Sequence, residues 1–297
     1  MKLVTVFTPT YNRGYCLENL YESLKKQSSD NFLWLVIDDG STDNTKNMVE
    51  EFQKESKVEI RYYYQKNGGK HVAHNKAVKL CDTELFICVD SDDILSENAI
   101  EKIDTSYTKI KKEKILGMYM RRVLKTGENI ASIYPDGITR VGITDLYHKY
   151  GFLGDTAIIL KTELIKDHAF PVYPEERFVS ECVFYNQLNS IAPMALFEDP
   201  IYICEYLPDG YTQNTDRLTI RNPYGSATAN LSEAVYGEKL IYKIKNYSQY
   251  LALSELFDLD KKRISVSKKP GFFIRILAWI VKKHYIDLFE RMKKTYG

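Results

Sequence analysis

Phe32-Leu33-Trp34-Leu35-Val36-Ile37 runs without a polar side chain into Asp38-Asp39-Gly40-Ser41. An apolar run of this length, closed abruptly by turn residues, reads as a strand buried on both faces. The same unit recurs on either side of it. Upstream, Leu3–Phe7 is a β-rich run followed by Pro9-Thr10-Tyr11-Asn12-Arg13, and Leu17, Leu20, Tyr21 and Leu24 then recur at helical spacing. Downstream, Thr42 or Asp43 offers a cap for a helix that buries Met48, Val49 and Phe52. Ile60–Tyr64 reads as a third strand, Gly68-Gly69 breaks it, and Val72, Ala73, Ala77 and Leu80 mark another helix. Leu85–Val89 is a fourth strand, ending in Asp90-Ser91-Asp92-Asp93. Such alternation predicts an α/β fold built on an open, mainly parallel sheet flanked by helices.

From Ser96 the pattern loosens. A helix is expected at Ala99–Ile110, a strand at Leu116–Tyr119, a helix at Phe178–Leu188 and a strand at Ile201–Tyr206, with turns such as Pro208-Asp209-Gly210 between elements. Beyond Thr212 only helices are expected, over 228–257 and 272–294, joined by the basic segment Lys261–Pro270. The expected organisation is an α/β domain over residues 1–215, in halves 1–95 and 96–215, followed by a helical extension over 216–297.

Composition narrows the classes. With 44% apolar residues, the chain is too hydrophobic to be disordered. Its 41 Lys and Arg against 40 Asp and Glu argue against a general nucleic-acid binder. That balance hides an asymmetry, because Lys261–Gly297 carries eleven basic and two acidic residues, leaving the rest of the chain acidic. The five cysteines form no C-x-x-C pair, and no signal-peptide core or run of about 18 apolar residues is present. A cytoplasmic protein with reduced thiols is therefore expected.

In an open parallel sheet, ligands bind beyond the carboxyl ends of the strands. Tyr11-Asn12-Arg13, Asp38-Asp39, Asn67-Gly68-Gly69-Lys70 and Asp90–Asp93 all fall there and are expected to converge. Carboxylates crowded in this way call for a positive partner, and Mg²⁺ or Mn²⁺ suits their hard oxygens. Taken singly, each feature has a plainer reading. Asp38–Ser41 can be a turn, Gly68-Gly69 can simply end a strand, and His71 with His74 lacks the further ligands of a zinc site. Neither a G-x-G-x-x-G fingerprint after the first strand nor a G-x-x-x-x-G-K-[ST] loop is present.

In four segments, Val4–Arg13, Leu35–Thr45, Asn67–Ala77 and Val89–Asp93, the sequence resembles family 2 glycosyltransferases of the A-type nucleotide-sugar fold, in order and in spacing. The resemblance is dense over residues 3–110 and looser to about 210. Glu205–Gly210 and Arg221-Asn222-Pro223 resemble a bacterial capsule or surface-polysaccharide subgroup. The resemblance implies an inverting transfer from a nucleotide-sugar, UDP-linked in the first instance, to a saccharide or lipid-linked acceptor. It implies that Pro9, Tyr11 and Asp39 line a uracil pocket and that Arg13, Asn67 and Gly69 also contact the donor. Lys70 and Asn75 would approach the ribose and diphosphate, where His74 replaces an arginine of the family. Asp90 would meet the ribose, directly or through the metal, Ser91 would also contact the donor, and Asp92, with Asp90, would coordinate the Mn²⁺ or Mg²⁺ ion.

Family members often place Glu-Asp ahead of a helix as the base. Here the stretch reads Glu181-Cys182, so Glu181 is the first choice and Asp155 the second, with Glu181 as a helix-capping carboxylate the structural alternative. Two other functions stay open. A sugar-1-phosphate nucleotidyltransferase would want a glycine-rich first loop, and a degenerate glycan-binding scaffold would need no base. In the tail, Phe273, Ile276, Leu277, Ile280, Tyr285, Leu288, Phe289 and Met292 form an apolar stripe among lysines. That composition predicts peripheral contact of Lys261–Gly297 with the anionic inner face of the cell membrane, or packing of the stripe on protein.

Overall fold

The computed structural model describes residues 2–204, 214–264, 266 and 268–297. The Glu205–Gly210 match, the turn at Pro208-Asp209-Gly210 and the end of the strand expected to reach Tyr206 lie outside the described residues. In chain order the elements begin with β1 (Val4–Thr10), α1 (Gly14–Lys25), β2 (Phe32–Asp38), α2 (Thr45–Glu55), β3 (Ile60–Tyr64), α3 (Lys70–Leu80) and β4 (Leu85–Cys88). They continue with β5 (Ile94–Leu95), α4 (Ala99–Ile110), β6 (Gly117–Leu124), β7 (Arg140–Val141), α5 (Asp145–His148), β8 (Thr156–Lys161), α6 (Thr162–Ile165), α7 (Cys182–Leu188) and β9 (Met194–Cys204). Helices α8 (Thr215–Arg221), α9 (Pro223–Tyr236), α10 (Leu240–Leu256) and α11 (Phe272–Tyr296) follow.

The nine strands among the described residues belong to one open sheet, ordered β3-β2-β1-β4-β8-β6-β9-β5, with β7 also paired to β9. The first half is parallel: β1 pairs with β2 from Val4 beside Phe32 to Thr10 beside Asp38, and with β4 from Val4 beside Leu85 to Phe7 beside Cys88. Because β1 runs on past the end of β4, Pro9 occupies a position where a missing N–H costs no bond to that neighbour. The second half is mixed. Strand β8 runs antiparallel to β4 and β6, whereas β9 runs parallel to β6. Two expectations needed correction there. No strand was expected at β8, which follows the glycines at 151 and 154, and β9 is longer than expected because it passes through Pro200 at a register shift.

The chain winds from β1 through β2 to β3 on one side, then crosses to β4 on the other. The strand order therefore reverses at β1, and loops leaving β1 and β4 diverge over a crevice. What holds those strand ends in place is an apolar core through Val4, Val6, Leu17, Leu20, Trp34, Val36, Leu85 and Ile87. Trp34 is fully buried, stacks with Tyr21, and donates its indole N–H to Thr8 Oγ1 at 2.9 Å. A buried indole with its one donor satisfied keeps its full packing contribution.

The chain divides into two compact units, Met1–Ala169 with Leu188–Glu205, and Phe170–Gln187 with Tyr206–Gly297. The second unit has its own core of Ile220, Leu231, Tyr250, Leu253 and Phe289. Glu176 accepts the Tyr224 N–H at 2.6 Å and the Gly225 N–H at 2.7 Å, which satisfies otherwise orphaned donors at the start of α9. The single helix expected over 228–257 is two, since Gly237 closes α9 before α10 begins. The helix expected from Phe178 starts only at Cys182. The apolar stripe of the tail divides as well: Phe289 is core, with Tyr285 and Met292 packed beside it, while Phe272–Val281 stays largely exposed. Among the described residues no helix is long and apolar enough to cross a membrane.

Candidate active site

The loops after β1 and β2 are built into each other. Asn12 takes a left-handed φ of 53°, its N–H donates to Ser41 Oγ at 2.9 Å, and its Oδ1 accepts the Thr42 N–H at 2.8 Å. Asp43 accepts from the Gly14 N–H at 3.1 Å and the Thr45 N–H at 3.0 Å, so one carboxylate serves the starts of both α1 and α2. Burial opposes its charge, but these bonds outweigh burial and hold the carboxyl below its ordinary range. Gly40 has φ +90°, and a Cβ there would come within 2.8 Å of the Asn67 nitrogen. Glycine is therefore required for this close approach.

Neighbouring aspartates have different tasks. Asp38 is fully buried and accepts from the Ser41 N–H at 2.7 Å and the Tyr62 hydroxyl at 2.7 Å, which makes it the turn carboxylate. Asp39 Oδ1 accepts from Gln65 Nε2 at 2.7 Å and from the Gly68 N–H at 2.8 Å, and its Oδ2 accepts the Gly69 N–H at 2.7 Å. It thereby moulds the Gly68-Gly69 loop. A carboxylate offers about four acceptor directions, so one on Oδ2 remains for a ligand N–H. Tyr11, 49% exposed, presents its ring at the tip of the β1 loop, with Pro9 half-buried beneath it in sequence.

Past Asn67 and Gly69, both close to the Asp39 cradle, α3 opens with Lys70. Lys70 Nζ pairs with Asp90 Oδ1 at 2.6 Å. Asn75 is half-buried in the second turn of the same helix. His74 packs edge-on against Phe7 and Phe86, with ring centroids 5.9 and 5.4 Å away. Burial, helped by the Lys70 charge, pushes its pKa down to about 3, so it is a neutral imidazole at pH 7.

The aspartate loop after β4 meets this basic edge across the switch point. Arg13 lies 3.5 Å from Asp92. Burial alone would raise the Asp90 carboxyl, but Lys70, with Arg122 and Arg13 further off, holds it below the ordinary range. Asp92 goes the other way, raised by burial and by the Asp90 charge despite Arg13. Ser91 is buried between them in sequence. Asp93, one residue on, accepts from the Tyr202 hydroxyl at 2.8 Å and from Arg122 at 2.9 Å, while the Tyr202 hydroxyl accepts the Asp90 N–H at 3.0 Å. The Arg122 guanidinium lies 4.0 Å over the Tyr202 ring, and the two residues face each other in the β6–β9 register. Burial pushes Asp93 up to about 6 against the pull of Arg122.

Asp90 and Asp92 are hard oxygen donors, and the Asp92 carboxyl is raised first by burial and then by the Asp90 charge, which a cation between them would offset. That chemistry fits Mg²⁺ or Mn²⁺ held by two carboxylates, with other positions left to phosphate and water. Among the described residues no group of three or more His, Cys, Asp or Glu forms a closed metal cage. Asp155 is exposed just ahead of β8, and its charge reaches the Cys204 thiol along with those of Arg122 and Asp93. Glu181, in the second unit, is exposed at the start of α7, where its carbonyl accepts the Phe184 N–H at 3.0 Å. Next to it, burial and the neighbouring Glu233 carboxylate push the Cys182 thiol up to about 12.

Arg122, Tyr202 and Gln65 were not anticipated from sequence. Asp43 was expected as a candidate cap for α2, but its second bond, to the Gly14 N–H, was not.

Glycosyltransferase GlyG of Streptococcus pneumoniae is 33% identical over 119 residues, covering 40% of this chain and 39% of that protein. The poly(ribitol-phosphate) beta-N-acetylglucosaminyltransferase TarS of Staphylococcus aureus is 28% identical over 182 residues, covering 59% of this chain and 30% of TarS. The chain thus spans well under half the length of these curated relatives. The crystal structure of S. aureus TarS residues 1–349 with UDP-GlcNAc superposes with a TM-score of 0.65 at 18% identity, covering 100% of this chain and 91% of that one. The mannosyltransferase PcManGT of Pyrobaculum calidifontis, solved with GDP-Man and Mn²⁺, gives a TM-score of 0.53 at 15% identity over 99% and 82% of the two chains. These structures share the fold, in which the strand ends carry the loops described above. The family model "Glycosyl transferase family 2" matches residues 5–168, more than half of the chain and every loop after β1 to β4, and the chain belongs to that family.

Proposed function

We propose that the protein transfers a sugar from a UDP-linked donor to a saccharide or lipid-linked acceptor of a bacterial surface polymer, by a single inverting displacement that requires a divalent cation. The observation that carries this reading is the pair of contacts at the switch point, Lys70 with Asp90 at 2.6 Å and Arg13 with Asp92 at 3.5 Å, beside the Asp39 cradle. Two cations and two carboxylates there can trade partners when an anionic diphosphate enters. Lys70 and Arg13 then face phosphate oxygens and offset the charge that grows on the leaving group. Asp90 and Asp92 would hold the divalent cation, which would add electrostatic stabilisation of the diphosphate. Tyr11 offers a stacking face to the base, and the remaining acceptor direction of Asp39 suits a uracil N–H.

The base is Glu181 by the resemblance, with Asp155 the second choice. Uridine is favoured because TarS was solved with UDP-GlcNAc, and the cation because PcManGT was solved with Mn²⁺. Peripheral contact of Lys261–Gly297 with the inner face of the membrane belongs to the same reading, since a lipid-linked acceptor is reached there. A donor screen that measures nucleoside diphosphate release tests the proposal. Release from UDP-sugars, stimulated by Mn²⁺ and abolished by chelator, is expected. Release from GDP-mannose alone would reject uridine, and full activity in chelator would reject the cation.

A further inference from the structure

We infer that the N-terminal ends of α10 and α11 together form one apolar surface that inserts among the headgroups of an anionic bilayer. This deepens the reading above, on which it rests for the membrane as workplace, and it moves the contact from the tail as a whole to one end of a helix pair.

Three contacts fix the direction of the pair. Ser248 Oγ donates to the Ala278 carbonyl at 3.1 Å, Lys282 pairs with Glu255, and Lys293 Nζ lies 4.5 Å from the Phe257 ring centroid. Each contact is further along both segments, so α10 and α11 run the same way and start at the same end. From the Ser248–Ala278 contact, Leu240 is about 12 Å back along α10 and Phe272 about 9 Å back along α11, at 1.5 Å per residue. Leu240, Ile241, Phe272 and Phe273 are all exposed there, Ile241 at 68% and Phe273 at 77%, and Trp279 and Ile280 are exposed just past the contact. Further along α11, Phe289 is buried in the core. One end of this pair is thus apolar on the outside, while the other packs inward.

Charge selects the occupant. Over residues 239–245 and 268–283 there are eight Lys and Arg and no Asp or Glu. A second copy of the chain seated on this face would bring two such sets together with only Glu238, next to Lys239, and Glu255, paired with Lys282, to offset them. An anionic lipid surface instead receives the apolar side chains and meets the cations with phosphate and carboxylate groups. Trp279, exposed beside the cations, has the amphipathic ring that favours the water–lipid boundary.

The two tryptophans make the test direct. Trp34 is 0% exposed and Trp279 is 67% exposed, so only Trp279 changes surroundings on insertion. Full-length protein is mixed with vesicles of phosphatidylcholine alone or containing phosphatidylglycerol, and both cosedimentation and tryptophan emission are read. Cosedimentation and a blue shift with phosphatidylglycerol only, both weakened by salt, are expected. Trp279→Phe should remove the shift. Phe273→Glu with Ile280→Glu should cut cosedimentation at least tenfold while thermal melting and UDP-sugar hydrolysis stay unchanged. No binding at low salt, or binding that the double variant retains, overturns the inference. So does a wild-type dimer in sedimentation that the double variant converts to monomer, since a second copy is then the occupant. Vesicle binding is read without donor or acceptor. A protein that binds vesicles but transfers no sugar supports the surface and rejects the proposed reaction. Transfer without binding does the reverse.

Discussion

The Tyr202 hydroxyl donates to Asp93 Oδ2 at 2.8 Å and accepts the Asp90 N–H at 3.0 Å. One hydroxyl at the end of β9 therefore fixes both ends of the four-residue aspartate loop, and Arg122 completes the arrangement by pairing with Asp93. The loop is held from the sheet, which leaves Asp90 and Asp92 to face the basic edge of the crevice. Tyr202→Phe deprives the Asp90 N–H and the Asp93 carboxylate of one partner each. It should cost about 1–3 kcal/mol in denaturant unfolding. Donor turnover should fall more than affinity for UMP, which lacks the diphosphate. Unchanged turnover would show that the loop positions itself.

Asp39 has a structural and a ligand-directed side, and substitution separates them. Asp39→Ala removes the acceptor for Gln65 and for the Gly68 and Gly69 amides at once. It should therefore lower stability by about 2 kcal/mol or more as well as weaken UDP binding. Asp39→Asn keeps an acceptor oxygen and should lose less stability. Calorimetric titration with UDP and a denaturant melt of both variants check this. An Asp39→Ala protein with wild-type UDP affinity would confine the residue to loop building.

Asp92→Asn should reduce turnover about 100-fold or more with the melting curve hardly changed, because the substitution removes charge from a group already raised by burial. The loss should persist at saturating Mn²⁺. An Asp92→Asn protein as active as wild type, and active in chelator, would sink the cation.

How much of this could be read beforehand depends on distance along the chain. The parallel half was legible because each strand is a short apolar run with a polar end, as in Phe32–Asp38. The convergence of the loops after β1 to β4 was legible for the same reason, since strand ends place them together once the sheet is parallel. Which of Asp38 and Asp39 holds the turn was not, because successive side chains leave a strand on opposite sides and only packing decides between them. Tyr202 was invisible as a partner of Asp93, 109 residues away, because the β6–β9 register that brings it there is not written in either strand. The tail stripe gave the right periodicity but not its division, since Phe289 and Phe273 differ only in what packs against them.

The base assignment is tested by two neutral isosteres. Glu181→Gln keeps hydrogen bonding but takes no proton, so it should bind donor normally and lose transfer about 100-fold or more. Asp155→Asn is the parallel variant. Loss on Asp155→Asn with Glu181→Gln spared reverses the order of the two carboxylates.

His74 gives the pH dependence a definite sign. Its folded pKa of about 3 lies below the ordinary histidine value because burial, and then Lys70, disfavour the charged ring. Between these two values the unfolded chain takes up a proton that the folded chain refuses, so stability is lost as pH falls. From pH 7 to pH 5 the loss attributable to this one ring is about 2 kcal/mol, using about 6.5 for the unfolded histidine. His74→Phe keeps a ring against Phe7 and Phe86 and removes the titration. Denaturant unfolding of both proteins at the two pH values isolates the effect, because every other group titrates alike. The wild type should lose about 2 kcal/mol more than the variant over that interval. Equal losses would mean that the imidazole takes up its proton within the fold, which a ring packed between two phenylalanines with Lys70 nearby is poorly placed to do.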